Sequence, residues 1–164
     1  MRQAGVCRSG GVVTSATHEL LFDRRRIIVQ PVGFGICTKQ MTLPETGIYI
    51  LSNERRLKVT EMAIDDDFVV SRERMSICVD ADKVDFPLVI RPVLMGERFV
   101  PFGMSTSKLV SDYMTDSKRT LFDKRRQLIL TDAKGKVVWL VGERTDNRVR
   151  ITTESRRALL ITYM

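Results

Sequence analysis

The alternation of apolar and polar residues along this chain predicts a protein built mainly of short β-strands. Residues 57–62 read Leu-Lys-Val-Thr-Glu-Met, and this strict alternation is typical of a half-buried strand. Other short runs are rich in β-branched residues and are bounded by turn-forming ones. These further predicted strands cover residues 26–30, 47–51, 75–79, 87–92, 127–130, 137–141, 149–152 and 158–162.

A hairpin is predicted where two apolar runs flank a short polar segment. Residues 127–130 and 137–141 are separated by Thr-Asp-Ala-Lys-Gly-Lys, and Gly135 can adopt the positive φ angle that a tight turn requires. Trp139 lies within the second run, which favours a core position over a base-stacking one.

One segment has the pattern of an amphipathic helix. Ser105 or Thr106 can cap its N-terminus, and the helix would run to about residue 115. Leu109 and Tyr113 would then lie on its buried side.

Strands on both sides of one helix predict an α+β fold that is mainly β. We expect a compact, strand-rich C-terminal module with one or two short helices over residues 84–164. A β-rich connecting region would precede it over residues 1–83.

Composition narrows the class of protein. With 43% hydrophobic residues, 164 residues can bury a substantial core. No apolar run approaches the roughly 20 residues of a membrane helix, and the first residues lack the apolar run of a signal peptide. Cys7, Cys37 and Cys78 are odd in number and far apart, which indicates reduced thiols and a cytoplasmic protein.

The positive charge is concentrated in one half of the chain. Residues 1–82 hold 11 Lys and Arg against 11 Asp and Glu, whereas residues 83–164 hold 16 against 9 and account for the whole net charge of +7. A basic half beside a neutral half favours a surface that faces a polyanion, although a solvated basic surface explains the same asymmetry.

The sequence offers no catalytic set and no metal site. His18 is the only histidine, and the cysteines form no closely spaced pair of zinc ligands. Ser15 and Asp23 lie near His18 in sequence, but hydrogen bonding within a strand or turn is the favoured role for this histidine.

A set of motifs in the second half carries a family resemblance. Gly96-x-Arg98-Phe99-x-Pro101-x-Gly103-Met104 is followed by Lys108 with Ser111-Asp112, and later by Trp139 and Gly142-x-Arg144-x-Asp146-x-Arg148. Together with Arg91, this combination resembles the C-terminal region of bacterial tRNA(Ile)-lysidine synthases.

That resemblance implies a function. The family attaches lysine to a cytidine in the anticodon of an isoleucine tRNA, using ATP and magnesium. Its phosphate loop has the form S-G-G-x-D-S, but here Ser9-Gly10-Gly11 is followed by Val13 and Thr14 at the Asp and Ser positions. We therefore expect a glycine-rich turn, no cofactor in this chain, and a tRNA-binding part that lacks the family's catalytic domain.

Basic residues are the candidate RNA-binding groups, because a guanidinium offers a fixed fork of donors to phosphate. The candidates are Arg91, Arg98, Lys108, Lys118, Arg119, Arg125, Arg126, Arg144, Arg148 and Arg150. Solvated loop charge is the alternative for residues 118–119 and 124–126.

Two local expectations accompany these candidates. Arg144, Arg148 and Arg150 would lie on one face of an extended segment, unless Arg144 pairs internally with Asp146. Lys108 would sit near the N-terminus of the predicted helix, where the dipole disfavours a cation and so favours an external anion.

The loop at residues 96–104 is expected to turn at its glycines and to be anchored in the core by aromatic and methionine side chains. The predicted anchors are Phe99, Phe102 and Met104.

The expected partners are tRNA, contacted on its acceptor-stem side, and the catalytic domain of the parent enzyme, with a homodimer as a further option. The alternative function is a protein–protein or dimerisation module without RNA contact, in which the edges of the short strands are covered by a partner.

Overall fold

The computed structural model describes residues 10–37, 39–52, 54–65, 68–70 and 73–164, so Cys7 and Ser9 lie outside the described residues. Fourteen strands and two α-helices occur within these ranges. The strands of the first half are β1 (Val12–Thr14), β2 (His18–Asp23), β3 (Arg26–Pro31), β4 (Met41–Leu43), β5 (Gly47–Ser52), β6 (Arg55–Ala63) and β7 (Ser76–Asp80). The second half supplies β8 (Leu88–Pro92), β9 (Arg98–Phe99), β10 (Lys108–Leu109), α1 (Val110–Asp116), α2 (Leu121–Arg126), β11 (Leu128–Thr131), β12 (Val137–Leu140), β13 (Arg144–Thr145) and β14 (Arg157–Tyr163).

The first three strands form a small antiparallel sheet in the order β1-β2-β3. Its register aligns Val13, Leu20 and Val29 across the three strands, so these apolar side chains share one face. Val13 is 56% exposed and Val29 58% exposed. This face is therefore apolar and open to solvent.

Two larger antiparallel sheets form the body of the molecule. One has the order β5-β6-β14-β7, and the other has the order β13-β12-β11-β8-β4. Alternate residues of each sheet point into a shared core, because strand side chains alternate between faces. The buried side chains of this core include Leu57, Val79, Leu88, Leu130 and Leu159.

A second, smaller core lies on the other face of the five-stranded sheet. Ile129 and Leu140 of that sheet pack with Phe99 and with Val110 and Met114 of α1. The five-stranded sheet is thus covered on both faces, which explains why every residue of β11 and β12 is buried.

The predicted boundary between residues 83 and 84 falls inside this shared core. β14 pairs on one side with β6 and on the other with β7, and β4 pairs with β8. Strands from the first half are therefore integral to both large sheets, and the larger core is shared between the two halves, whereas the smaller core comes from residues 84–164 alone. The division into a connecting region and a module stays a prediction.

The predicted hairpin is confirmed. β11 and β12 pair in antiparallel register, Gly135 in the turn has φ of 77°, and Trp139 is 1% exposed. A 3-10 helix over Ala81–Lys83 follows β7.

The predicted helix begins later than expected. Ser105 and Thr106 do not cap it, because the chain first forms β10, which pairs with β9, and only then enters α1 at Val110. The cap position is Leu109, without a side-chain cap.

A short helix also includes the basic residues 124–126. Residues 124–126 are the last turn of α2 and not a loop. The fold class is confirmed: the described chain is α+β, strand-rich, with two short helices. No helix in the described ranges is long and apolar enough to cross a membrane.

Candidate nucleic-acid interface

Two segments that are distant in sequence are joined side by side, and we call residues 98–104 and 144–150 the loop pair. The Asn147 amide donates to the Val100 carbonyl at 2.7 Å. The side-chain oxygen of Asn147 accepts from the Gly103 amide at 3.1 Å. These bonds fix the two segments relative to each other.

Asp146 is the centre of the loop pair. Its side chain is fully buried, and its two oxygens accept from the Val100 amide at 3.0 Å and from the Arg148 amide at 2.8 Å. The Arg148 guanidinium adds two further bonds, from Nε at 2.9 Å and from Nη2 at 2.8 Å. A buried carboxylate is costly unless it is paired and hydrogen-bonded in this way.

The internal ion pair of this segment is therefore Asp146 with Arg148, and not Arg144 with Asp146. The hydrogen bonds that Arg148 donates to Asp146, and then the charge of Asp146, raise the pKa of Arg148 despite partial burial. Arg148 consequently has a structural role, although its side chain is still about half exposed.

Three arginines of the loop pair have no carboxylate partner within the described part of the chain. Arg98 donates to the hydroxyl and the carbonyl of Ser107 at 2.9 and 3.1 Å, and Arg150 donates to the Asn147 side chain at 3.4 Å. Arg144 is exposed at the start of β13. The positive charge of these three groups is thus not neutralised by an internal ion pair.

The expected extended arrangement of Arg144, Arg148 and Arg150 is wrong. A 3-10 helix spans Asn147–Val149, and the predicted strand at residues 149–152 does not form. Asp146 caps this 3-10 helix by accepting from the Arg148 amide, which turns the chain instead of extending it.

Two of the expected core anchors of the 96–104 loop are also wrong. Phe99 is buried, but Phe102 is 50% exposed and Met104 is 41% exposed. Asp146 and Asn147 hold the loop by hydrogen bonds, so it does not need those two side chains in the core.

Arg91 has a structural role, because it forms an ion pair with Glu97. Its guanidinium forms a two-pronged pair with Glu97, at 3.0 and 2.5 Å, and Glu97 also accepts from the Leu94 amide at 2.7 Å. The hydrogen bond to Glu97 raises the pKa of Arg91, and only 16% of its side chain is exposed. Its charge is largely used internally.

Lys108 lies in β10 directly before the Leu109 cap, so it is near the N-terminus of α1 as expected, but it does not face an unpaired site. Its ammonium group pairs with the Asp116 carboxylate at the far end of α1. An internal carboxylate accounts for this lysine without an external anion.

Most of the candidate residues between 118 and 126 also form ion pairs with carboxylates. Arg119 pairs with Glu143, Arg125 with Glu19 at 3.2 Å, and Arg126 with Asp123 at 3.1 Å. Lys118 is exposed at φ of 56°, and no ion pair involves its side chain within the described residues.

Arg125 and Arg126 also attach the small sheet to α2. Arg125 reaches Glu19 of β2, and the guanidinium of Arg126 lies 5.8 Å from the centre of the Phe34 ring. This arrangement gives these two arginines a role in packing.

The structure thus separates the ten candidates into two groups. Arg98, Arg144, Arg148 and Arg150 belong to the loop pair, where Arg144 and Arg150 line one pocket, while the others are dispersed or paired elsewhere. The sequence analysis missed Asn147, and it assigned other roles to Asp146, as a possible partner of Arg144, and to Phe102, as a core anchor. Asp146 could have been identified from its position two residues before Arg148, at a distance where an aspartate caps a turn.

Comparisons with known proteins point to one family. No family model matches the chain. A tRNA(Ile)-lysidine synthase of Parabacteroides distasonis is 35% identical over 155 residues, which are 94% of this chain and 35% of that protein. A tRNA(Ile)-lysidine synthase of Bacteroides thetaiotaomicron is 42% identical over 94 residues, which are 57% of this chain and 22% of that protein.

The fold agrees with these sequence relatives. The crystal structure of the TILS C-terminal domain superimposes with a TM-score of 0.61 at 19% identity, covering 77% of this chain and 97% of that one. The chain spans only about a third of the length of the first relative, and its match covers 22% of the second. It therefore matches tRNA(Ile)-lysidine synthases in sequence and their C-terminal domain in fold.

Proposed function

We propose that this chain is the non-catalytic, tRNA-binding portion of a tRNA(Ile)-lysidine synthase. It would hold isoleucine tRNA on its acceptor-stem side while a separate catalytic domain, using ATP and magnesium in the cytoplasm, attaches lysine to the anticodon cytidine. The observation that carries the proposal is the loop pair, where Arg98, Arg144 and Arg150 lack carboxylate partners among the described residues.

The physical argument concerns charge on a fixed frame. An RNA helix presents phosphates and 2′-hydroxyls, and recognition of its shape needs cations held at fixed positions. Asp146 and Asn147 join the two segments and so set the spacing of the arginines. Because these hydrogen bonds hold the two loops in place before RNA binds, binding would cost little additional conformational entropy.

Remote binding also suits the chemistry of the proposed parent enzyme. Contacts far from the reacting atoms supply binding energy and orientation for a reaction elsewhere. A chain without catalytic residues of its own can contribute to the rate in this way.

The test is the salt dependence of tRNA binding by the 164-residue chain. Three phosphate contacts predict that log Kd rises with log salt concentration with a slope of about 2 to 3, since each neutralised phosphate releases slightly less than one counterion. Binding that does not change between low and moderate salt would contradict the proposal.

A second function, docking to another protein surface, is favoured by the small sheet. Ile27 is 61% exposed beside Val13 and Val29, so the outer face of β1–β3 is an apolar surface in register across three strands. Sedimentation of the wild-type chain and of Val29→Asp distinguishes this function, because a self-associating chain would become smaller in the variant.

A further inference from the structure

We propose that Phe102 is a stacking platform for an unpaired base that adjoins the RNA duplex held by the loop pair. This inference rests on the proposed function and specifies part of its ligand, an unpaired nucleotide at the end of a helix. Phe102 is 50% exposed although phenylalanine is usually buried.

The backbone holds Phe102 in this exposed position. Its amide donates to the Thr145 carbonyl at 2.9 Å, and the Met104 amide donates to the Pro101 carbonyl at 2.8 Å. Gly103 follows with φ of 86°, a conformation that side-chain-bearing residues rarely adopt. The ring is thus presented from a closed turn attached to β13.

The pocket beside the ring is lined by three arginines and by the carboxylates of Glu73 and Glu143, so its side chains carry a net positive charge. Phe102 lines a pocket of about 230 Å³ together with Arg144 and Arg150, with Trp139 of the core also in its wall. Arg74 lines it too, and it is held there by bonds to the Gly142 carbonyl and the Glu143 carboxylate.

The size and the charge of this pocket favour one class of ligand. It is smaller than the roughly 300–1,000 Å³ of a typical small-molecule site, which suits one planar ring better than a larger ligand. An aromatic face flanked by arginines fits a nucleotide, because the base can stack while its phosphate contacts a guanidinium. An apolar protein partner would instead leave those arginines desolvated and unpaired.

The experiment compares two RNA hairpins that share one duplex, the first ending blunt and the second ending in four unpaired 3′ nucleotides. Wild type, Phe102→Ala and Phe102→Trp are titrated with each RNA. Ile48→Ala is the matched control, because Ile48 is an exposed apolar residue, 63% exposed, in β5.

We expect the wild-type chain to prefer the hairpin with the unpaired end. Phe102→Ala should lose about 5- to 150-fold in affinity for that RNA, as for the loss of one stacked base, and less than about twofold for the blunt one. Phe102→Trp should retain the preference, and Ile48→Ala should behave as wild type. A 2-aminopurine placed in the unpaired end should be quenched on binding by wild type and not by Phe102→Ala.

Two results would overturn the stacking role. One is a Phe102→Ala chain that binds the unpaired-end RNA within about twofold of wild type, and the other is an equal loss on both RNAs. Either leaves the proposed function intact as long as salt-dependent binding of the duplex persists. If wild type binds neither RNA, the proposed function itself fails, and a change in sedimentation of Phe102→Ala would assign the ring to a protein interface instead.

Discussion

At the scale of single residues, the candidate interface depends on a carboxylate more than on any cation. Asp146 is completely buried, yet it accepts from one amide of each loop and from Nε and Nη2 of the Arg148 guanidinium. Sequence reasoning selected the arginines because their charge suggests phosphate, but charge alone does not show which arginines are already paired. That distinction depends on contacts such as Arg91 with Glu97, which form only in the folded chain.

The first prediction concerns this carboxylate. Asp146→Ala leaves the Val100 amide without its partner and Arg148 without its counter-charge, so it should lower the free energy of unfolding by about 2 kcal/mol or more. Urea denaturation measures the change. Arg144→Ala, which removes an exposed side chain from the same segment, should stay within about 0.5 kcal/mol of wild type. Equal stability of all three proteins would show that Asp146 does not organise the loops.

At the scale of elements, the strands were predictable and the local caps were not. Period-two alternation is enforced by burial of one strand face, so β6 could be predicted from it. The β11–β12 hairpin and β14 could be predicted from short apolar runs, and in the hairpin both strands are buried throughout. The start of α1 could not, because Ser105 and Thr106 are good caps in isolation and pairing of β9 with β10 overrides that preference. The 3-10 helix at 147–149 depends in the same way on the Asp146 cap.

The second prediction tests which threonine caps a helix. Thr120 and Asp123 form a reciprocal capping box on α2, with bonds of 3.1 Å and 3.0 Å to each other's backbone amides. Thr120→Ala should therefore destabilise the chain by about 1 kcal/mol. Thr106→Ala is the control, since Thr106 is exposed and caps no helix, and its melting curve should match wild type. A larger effect at Thr106 than at Thr120 would support the predicted start of the first helix at Ser105 or Thr106 instead of at Val110.

At the scale of the whole molecule, charge and core follow different divisions of the chain. The net positive charge belongs to residues 83–164, as composition showed. The core does not follow that division, because β14 lies between β6 and β7 and so completes a sheet built largely from the first half. Long-range pairing of this kind has no local signature, so the sequence alone did not show that the larger core is shared between the two halves.

The third prediction follows from that pairing. Residues 84–164 expressed alone would lack β4 to β7, and Leu159 and Ile161 would lose the strands they pack with. We expect no cooperative unfolding transition for this half, whereas the full chain should unfold cooperatively. Circular dichroism during thermal melting is the measurement, and a sharp transition in the isolated half would re-establish the boundary at residue 83.

The central claim is that the loop pair is the surface that binds RNA, and a matched pair of charge reversals tests it most directly. Arg144→Glu with Arg150→Glu is compared with Arg25→Glu plus Arg26→Glu, two exposed arginines, the first in the turn between β2 and β3 and the second at the start of β3. Each double variant changes the net charge equally, so only position differs. Filter binding of isoleucine tRNA is measured over a salt series.

The account predicts that the loop-pair variant loses affinity on the order of tenfold or more at low salt and that its salt slope falls by about two. The β2–β3 variant should stay within about threefold of wild type, with its slope unchanged. If the β2–β3 variant loses binding and the loop-pair variant does not, the RNA surface lies on the small sheet and the central claim is contradicted.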